Sequence, residues 1–503
     1  MCERRIWTLL VGLACCVLPA RVPVLSAELL AGAAKVDITS AEAGPVDGRL
    51  HARALVLKSG DTSLAIITLD VVSLGEIGYI KNDFLPKLRA RIEKELPIPP
   101  TNVLVNTSHC HGIPCTDVDE RTFQAVKQAA ANLVPVRSGT GTGHEDRISE
   151  NRRMKLRSGK EADVRHAYSL PPDDEVVSTG PIDPQIGVLR LDRLDGRTLA
   201  VVYNFACHPI QGMPSGANTA DLTGFASEVI EDNLSEGAVA LFLQGSGGDI
   251  NPAMYKEPNL PRSAETLGNM LGLSTLKAVR KIAPQDDARL TVLNELLELP
   301  RADLAPRIAA LEAEQQRLVQ SLAGTSLNLK SFLPLVVKYN LDREFPSYYA
   351  HRYLHEAHLG REELAKHDAD TRQKIKLYMQ NIFTMEQLTR NNANLALLKK
   401  HQADNLGAAK RAIDVEVMGV RIGDFVVATF PGELTVQIGL GIKERSPHKP
   451  TFVAGYTNGY IYYCPTAEQL ANVGYAQEDS DCILAPAWQA LFEAKVADIL
   501  KRL

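Results

Sequence analysis

The chain has 503 residues, 45% of them hydrophobic and 23% charged, with a formal charge of −5. This is the composition of a globular protein with a sizeable core, long enough for two or three domains. The slight acidity and the lack of any long basic run exclude nucleic acid as an expected partner.

Residues 1–27 read as a cleaved leader. Arg4 and Arg5 precede an apolar stretch from Ile6 to Leu18, and small residues precede Glu28. Cleavage is expected after Ala27, with Ala20 the alternative, and the mature protein is expected to be secreted or periplasmic. No later stretch reaches the ~18 apolar residues of a membrane span, and the residues before Cys15 and Cys16 fit a lipidation signal poorly. Five cysteines remain after the leader, Cys110, Cys115, Cys207, Cys464 and Cys482. They are too few for a disulfide scaffold and odd in number. A Cys464–Cys482 bridge is the pairing an oxidising compartment would favour.

From residue 28 to 301 apolar runs alternate with helical stretches. "RALVLKSGDTSLAIITLDVV" reads as two strands around a turn at Lys58–Thr62, and "YIKNDFLPKLRARIEKEL" as a helix closed by "PIPP". "NVLVN" is a strand and "ERTFQAVKQAAANLV" a helix; "LAVVYNFACHP" and "AVALFLQGSGGD" are further apolar strands. Residues 302–403 change character. Leu304, Ile308, Leu311, Leu318 and Leu322 share one helical stripe, and Ile375, Met379 and Ile382 another, so a helical insertion, as an antiparallel hairpin, is expected. Strands return in "DVEVMGVRIGDFVVATFPGE" and "TFVAGYTNGYIYY", and 404–503 complete the core with a terminal helix. The expected fold is α/β, a layered mixed sheet carrying an inserted helical segment.

Chemistry in such folds gathers at strand ends, and five of them are rich in polar groups. "NTSHCHGIPC" holds His109 and His111. If the strand runs on, both lie on one face and Cys110 on the other. The pair would then bind a metal, work as acid and base, or rest hydrogen-bonded at a strand end. His208 follows a strand in "NFACHPI". "LQGSGGDINP" offers backbone N–H groups and the Asp249 carboxylate; with Gln244 in place of a glycine it is not a nucleophile elbow, and it lacks a phosphate-loop lysine. Glu433 follows a Pro-Gly turn in "ATFPGELT". "YTNGYIYYCPTAEQLANVGY" is dense in tyrosines that would pack at a core edge with bonded hydroxyls. His351, His355 and His358 in "HRYLHEAH" have helix-face spacing, but not the HExxH pattern of a zinc protease, and read as a solvated face.

Taken in order, these segments resemble the neutral/alkaline (non-lysosomal) ceramidase family. The likeness rests on "GAAKVDITSAEAGPVDG", "TSHCHGIP", "NFACHP", "ADLTGFAS", "GGDINP", "FPGE" and "TNGYIYY…GYAQEDS", and spans most of residues 31–300 and 412–485. It implies one zinc ion held by His109, His208, Glu433 and Tyr463. It implies that His111 faces substrate as acid/base partner, and that Arg152 and Tyr475 polarise the substrate carbonyl. The family's proposed nucleophile is a serine at the position of Asn251, in "GDINP". Here an amide stands there, leaving Asn251 with Asp249 to orient substrate or water, zinc-activated water to attack directly, or Ser246 as a weaker nucleophile. The chain also ends soon after the last motif, without the immunoglobulin-like domain that ceramidases carry. The resemblance implies a zinc-dependent hydrolase of an N-acyl lipid such as ceramide, with peripheral membrane contact. Its alternatives are a zinc hydrolase of another amide or ester, or an inactive zinc-containing binding protein.

Overall fold

The computed structural model describes residues 28–164, 170–255, 257, 259, 260, 262–472 and 476–503. The expected leader and Tyr475 lie outside the described residues. Eight strands form one mixed sheet, in the order Val239–Gln244, Thr198–Phe205, Gln185–Arg193, Val134–His144, Leu30–Asp37, His51–Ser59, Thr62–Leu69 and Val103–Thr107. The sheet turns at Val134–His144, which pairs with Leu30–Asp37 only through Pro135 and Val134 before running on beside Gln185–Arg193. Its two outermost strands thereby meet: the Gln244 backbone N–H donates to Asn106 Oδ1 at 2.9 Å. A second sheet, Leu290–Pro300, Ala412–Ile422, Phe425–Thr429 and Phe452–Ala454, adds a third wall. One core joins all three walls through Leu55, Ile66, Leu104, Leu189, Val202, Leu241, Val420 and Phe425. Strands covered on both faces read as near-continuous apolar runs, as "LAVVYNF" does.

Within these two sheets three strand pairs are parallel: Thr62–Leu69 with Val103–Thr107, Thr198–Phe205 with Val239–Gln244, and Phe425–Thr429 with Phe452–Ala454. A parallel pair needs a crossover, and each here contains a helix, Phe84–Glu95, Asp221–Asp232 or Val436–Arg445. These helices cover the outer faces through Leu88 and Ile92, Leu222 and Ile230, and Ile438 and Ile442. Buried asparagines stitch the pairs together. Asn106 Nδ2 donates to Gly455 O at 2.7 Å, and Asn204 Nδ2 to Leu243 O and Val453 O at 2.9 and 3.0 Å. The loops beyond the carboxyl ends of all three pairs consequently share one place.

The insertion comprises helices Ala305–Ser321, Leu329–Leu341, Ala350–His358 and Glu363–Gly407. Leu304 and Leu311 pack against Leu395 and Leu398 of the last, a 45-residue helix. Met379 of the second expected stripe is exposed, because the helix there turns Tyr378 inward onto Phe332, ring centroids 4.5 Å apart. Cys464 and Cys482 are buried free thiols, so the expected bridge is absent. Their Sγ atoms turn to separate carbonyls, Tyr462 O and Leu484 O. His351, His355 and His358 are exposed on their helix.

Candidate metal centre

His109 does not lie on a continued strand. The strand ends at Thr107, and the chain bends back through Ser108 N–H to Leu69 O and His109 N–H to Val71 O. His109 takes the left-handed backbone, φ 68°, as do Tyr456 and Tyr462 of the tyrosine loop at 52° and 64°. Such positions in non-glycine residues store strain and gather at functional sites. The alternation expected of the strand is therefore broken: His109 and Cys110 are both buried, and His111 is exposed.

Three side chains from the three strand pairs meet. One ligand atom each of His109, His208 and Glu433 lies within 4.8 Å of the others, and all three residues are buried. Among the described residues this is the one such cluster of three or more. His109 Nδ1 lies 2.7 Å from Val72 O, and His208 Nδ1 lies 3.0 Å from Ile250 O. A carbonyl only accepts, so each Nδ1 carries the proton and each Nε2 presents a lone pair. Those lone pairs face a carboxylate: His109 Nε2 is 3.6 Å from Glu433 Oε1, and His208 Nε2 3.1 Å from Oε2. Burial pushes the His109 imidazole down to about 4. Two lone pairs aimed at an anion form an arrangement that a bound cation completes, and the N/N/O donor set suits zinc.

Tyrosine hydroxyls surround the carboxylate. Tyr460 donates to Glu433 Oε1 at 2.5 Å and Tyr456 to Oε2 at 3.2 Å, outer contacts that orient a ligand. Tyr463 OH stands 3.5 Å from His208 Nε2; a two-residue parallel ladder sets Glu433 opposite Tyr463. Gly248 lets the "GSGGD" loop lie against this ladder, since a Cβ there would sit 2.5 Å from Glu433 O.

The cluster floors a cavity of about 410 Å3. Arg152, Asn251, Tyr463 and the exposed His111 add to the polar lining, and Ile77, Ile210, Met213 and Leu397 supply an apolar part. The His111 and His109 rings are 5.6 Å apart, edge to face. Arg152 is buried, with Nε on Glu478 Oε1 at 2.5 Å, Nη1 on Asn251 Oδ1 at 3.2 Å and Nη2 on Gly248 O at 2.5 Å. Asn251 Nδ2 is buried with no hydrogen-bond partner. Asp249 does not line the cavity; its carboxylate accepts from the Val436 N–H at 2.8 Å and Asn151 Nδ2 at 3.0 Å. Ser246 does not line it either; it packs against Gly439, where a Cβ would meet Ser246 Oγ at 2.4 Å. Sequence reasoning missed Tyr456 and Tyr460 as carboxylate partners and Glu478 as the Arg152 counter-ion. Only the tyrosine density of "TNGYIYY" hinted at the first.

A second cavity of about 170 Å3 shares His111 and Met213 and is bordered by Asp221. Burial pushes the Asp221 carboxyl up to about 6, against the pull of the Leu222 and Gly212 N–H groups. Protonation is thus favoured in the folded chain, and the ionised group costs stability as pH rises through 6. Wild type is expected to gain about 1–1.5 kcal/mol on Asp221→Asn when pH falls from 7 to 5, read from urea midpoints of both proteins.

No protein-family model matches the chain, and no curated protein matches it. Among solved structures, the neutral ceramidase from Pseudomonas aeruginosa aligns with a TM-score of 0.58 at 16% identity, over 95% of this chain and 75% of that one. A ceramidase complexed with C2 aligns at 0.57 and 18%, over 95% and 76%. At such identity the likeness is one of fold: mixed α/β walls around one core, with the His109–His208–Glu433 cluster at their meeting point, make this a chain of the neutral ceramidase fold.

Proposed function

We propose that the chain is a secreted or periplasmic zinc-dependent hydrolase that cleaves the amide of an N-acyl lipid, such as ceramide, or of a related amide. The observation that carries this reading is the pair of imidazole lone pairs set against one buried carboxylate on this fold. His109, His208 and Glu433 would hold the ion, with Tyr463 as fourth ligand. A zinc ion bound there supplies Lewis acidity toward the carbonyl and toward water.

The remaining steps fall to the chain's own groups. Asn251 Nδ2, with two hydrogens and no partner, and Arg152 on the same wall donate to the oxygen that gains charge as the carbonyl is attacked. An amide cannot be acylated as a serine can, so this chemistry runs by direct attack of water. His111 of the lining delivers a proton to the departing amine. Tyr475 is a further proposed donor, and Asp249 acts by positioning Val436 and Asn151. The apolar part of the lining suits an acyl chain. No helix among the described residues is long and apolar enough to cross a membrane; the exposed stripe of Leu329, Leu333, Val337 and Leu341 supports peripheral contact with one.

Metal analysis of the purified chain is expected to find one zinc ion per chain. Zinc-dependent turnover is expected on N-acyl lipids or shorter amides. Asn251→Ala should lower kcat by about 10²–10³, the cost of one oxyanion donor, with zinc content unchanged. A folded chain that binds no zinc overturns the reading. Zinc without turnover of any amide or ester, by wild type or Asn251→Ser, makes the protein a binding protein instead.

A further inference from the structure

We infer that Lys400 makes this site selective for amides whose amine half carries an anionic group, a carboxylate in particular. The inference rests on the hydrolase reading above and names its substrate class.

Lys400 comes from the insertion, one turn after Leu397 on the helix Glu363–Gly407, and both line the cavity. Its Nζ donates to Tyr462 OH at 2.9 Å and lies 4.6 Å from the centre of that ring. Tyr462 gives its own proton to Glu76 Oε2 at 2.9 Å, so its oxygen is free to accept. One of the three ammonium hydrogens is used in this way, and two remain. Among the described residues no carboxylate oxygen comes within 4.0 Å of Nζ.

The other cation of the wall is differently placed: Arg152 is matched by Glu478 at 2.5 Å. The wall's two carboxylates are also engaged, Glu433 in the cluster and Asp481 with His401 Nε2 at 2.8 Å. Lys400 is therefore the charge on this wall left for a ligand. The cavity, at about 410 Å3, keeps any group it meets close to the scissile bond. In an N-acyl lipid the acyl half is hydrocarbon and matches Ile77, Ile210 and Met213. The amine half is then the part that can bring charge. A neutral amino alcohol gains little from an ammonium, whereas a carboxylate forms a charge-assisted hydrogen bond with it.

The test pair is N-lauroylglycine and N-lauroylethanolamine, which differ by a carboxylate in place of a hydroxymethyl. Zinc-loaded wild type is expected to show the higher kcat/KM on N-lauroylglycine. Lys400→Gln keeps a donor for Tyr462 and removes the charge. It should raise KM for the glycine amide about tenfold, as the loss of a hydrogen bond to a charged group implies. The ethanolamide should change less than twofold, and Lys400→Arg should restore most of the glycine preference. Equal loss on both substrates, or no preference in wild type, overturns the inference. Calorimetric binding of the two amides separates it from the hydrolase reading. A tenfold binding difference without turnover sinks the hydrolase alone, while equal binding sinks the role of Lys400.

Discussion

Glu433→Gln is expected to empty the site of metal and abolish turnover while leaving the chain folded. The substitution keeps the size of the side chain and one oxygen to accept from a tyrosine hydroxyl, while the other hydroxyl must turn to accept from the new NH2. It removes the anion on which His109 and His208 converge. Loss of an outer partner of a metal ligand costs roughly 10–100-fold in affinity, and loss of a ligand itself should exceed that. Zinc content measured after gel filtration should drop to background, with turnover below a thousandth of wild type. The circular dichroism spectrum should be unchanged. Retained zinc at wild-type stoichiometry would show that the cluster is not the metal site.

Arg152→Met should be the most destabilising single change near the site. Arg152 and Glu478 are both buried, and the adjacent Arg153 bonds Asp479 at 2.7 Å and Glu161 at 2.6 Å. Deleting Arg152 leaves the buried Glu478 with only the more distant Arg153, at 3.7 Å, a loss of up to about 3–5 kcal/mol. The double variant Arg152→Met/Glu478→Gln should recover much of that, since no unpaired charge remains. Denaturant unfolding of wild type, both single variants and the double closes the cycle. A single-variant loss under about 1 kcal/mol would mean that water reaches Glu478. Turnover should stay low in the double variant even where stability returns, because the Arg152 donor is still missing.

The strand ends that carry this centre were legible in the sequence for one physical reason, and the family resemblance singled out His109, His208 and Glu433 among them. A strand buried on both faces must be apolar, so the first polar side chains after it stand out. His109, His208 and Glu433 each follow such a run and a turn. What the sequence hid was long-range or local geometry. The left-handed turn at His109 cancels the alternation that would have put His109 and His111 on one face. Glu478 and Arg152 lie 326 residues apart, and no pattern in either segment announces their pairing. The cysteines at 464 and 482 suited a bridge by compartment alone, whereas the backbone aims each thiol at a different carbonyl. The sequence pairs Asp249 with Asn251 in orienting substrate or water, whereas its oxygens accept from the Val436 N–H and Asn151 Nδ2. The periodicity of the insertion announced helices, but not which of their residues, Leu397 and Lys400, would line the cavity.

The insertion departs and returns at directly opposed residues of one antiparallel ladder. Pro300 pairs with Ala412, and the Arg301 N–H donates to Arg411 O. Opposed residues in such a ladder stand only about 4.5–5.5 Å apart, a gap that a two-residue hairpin turn spans. To the sheet, then, this largely helical excursion between Pro300 and Ala412 is interchangeable with a tight turn. The scaffold that holds His109, His208 and Glu433 is therefore independent of the length of this excursion, which sets the wall carrying Leu397 and Lys400.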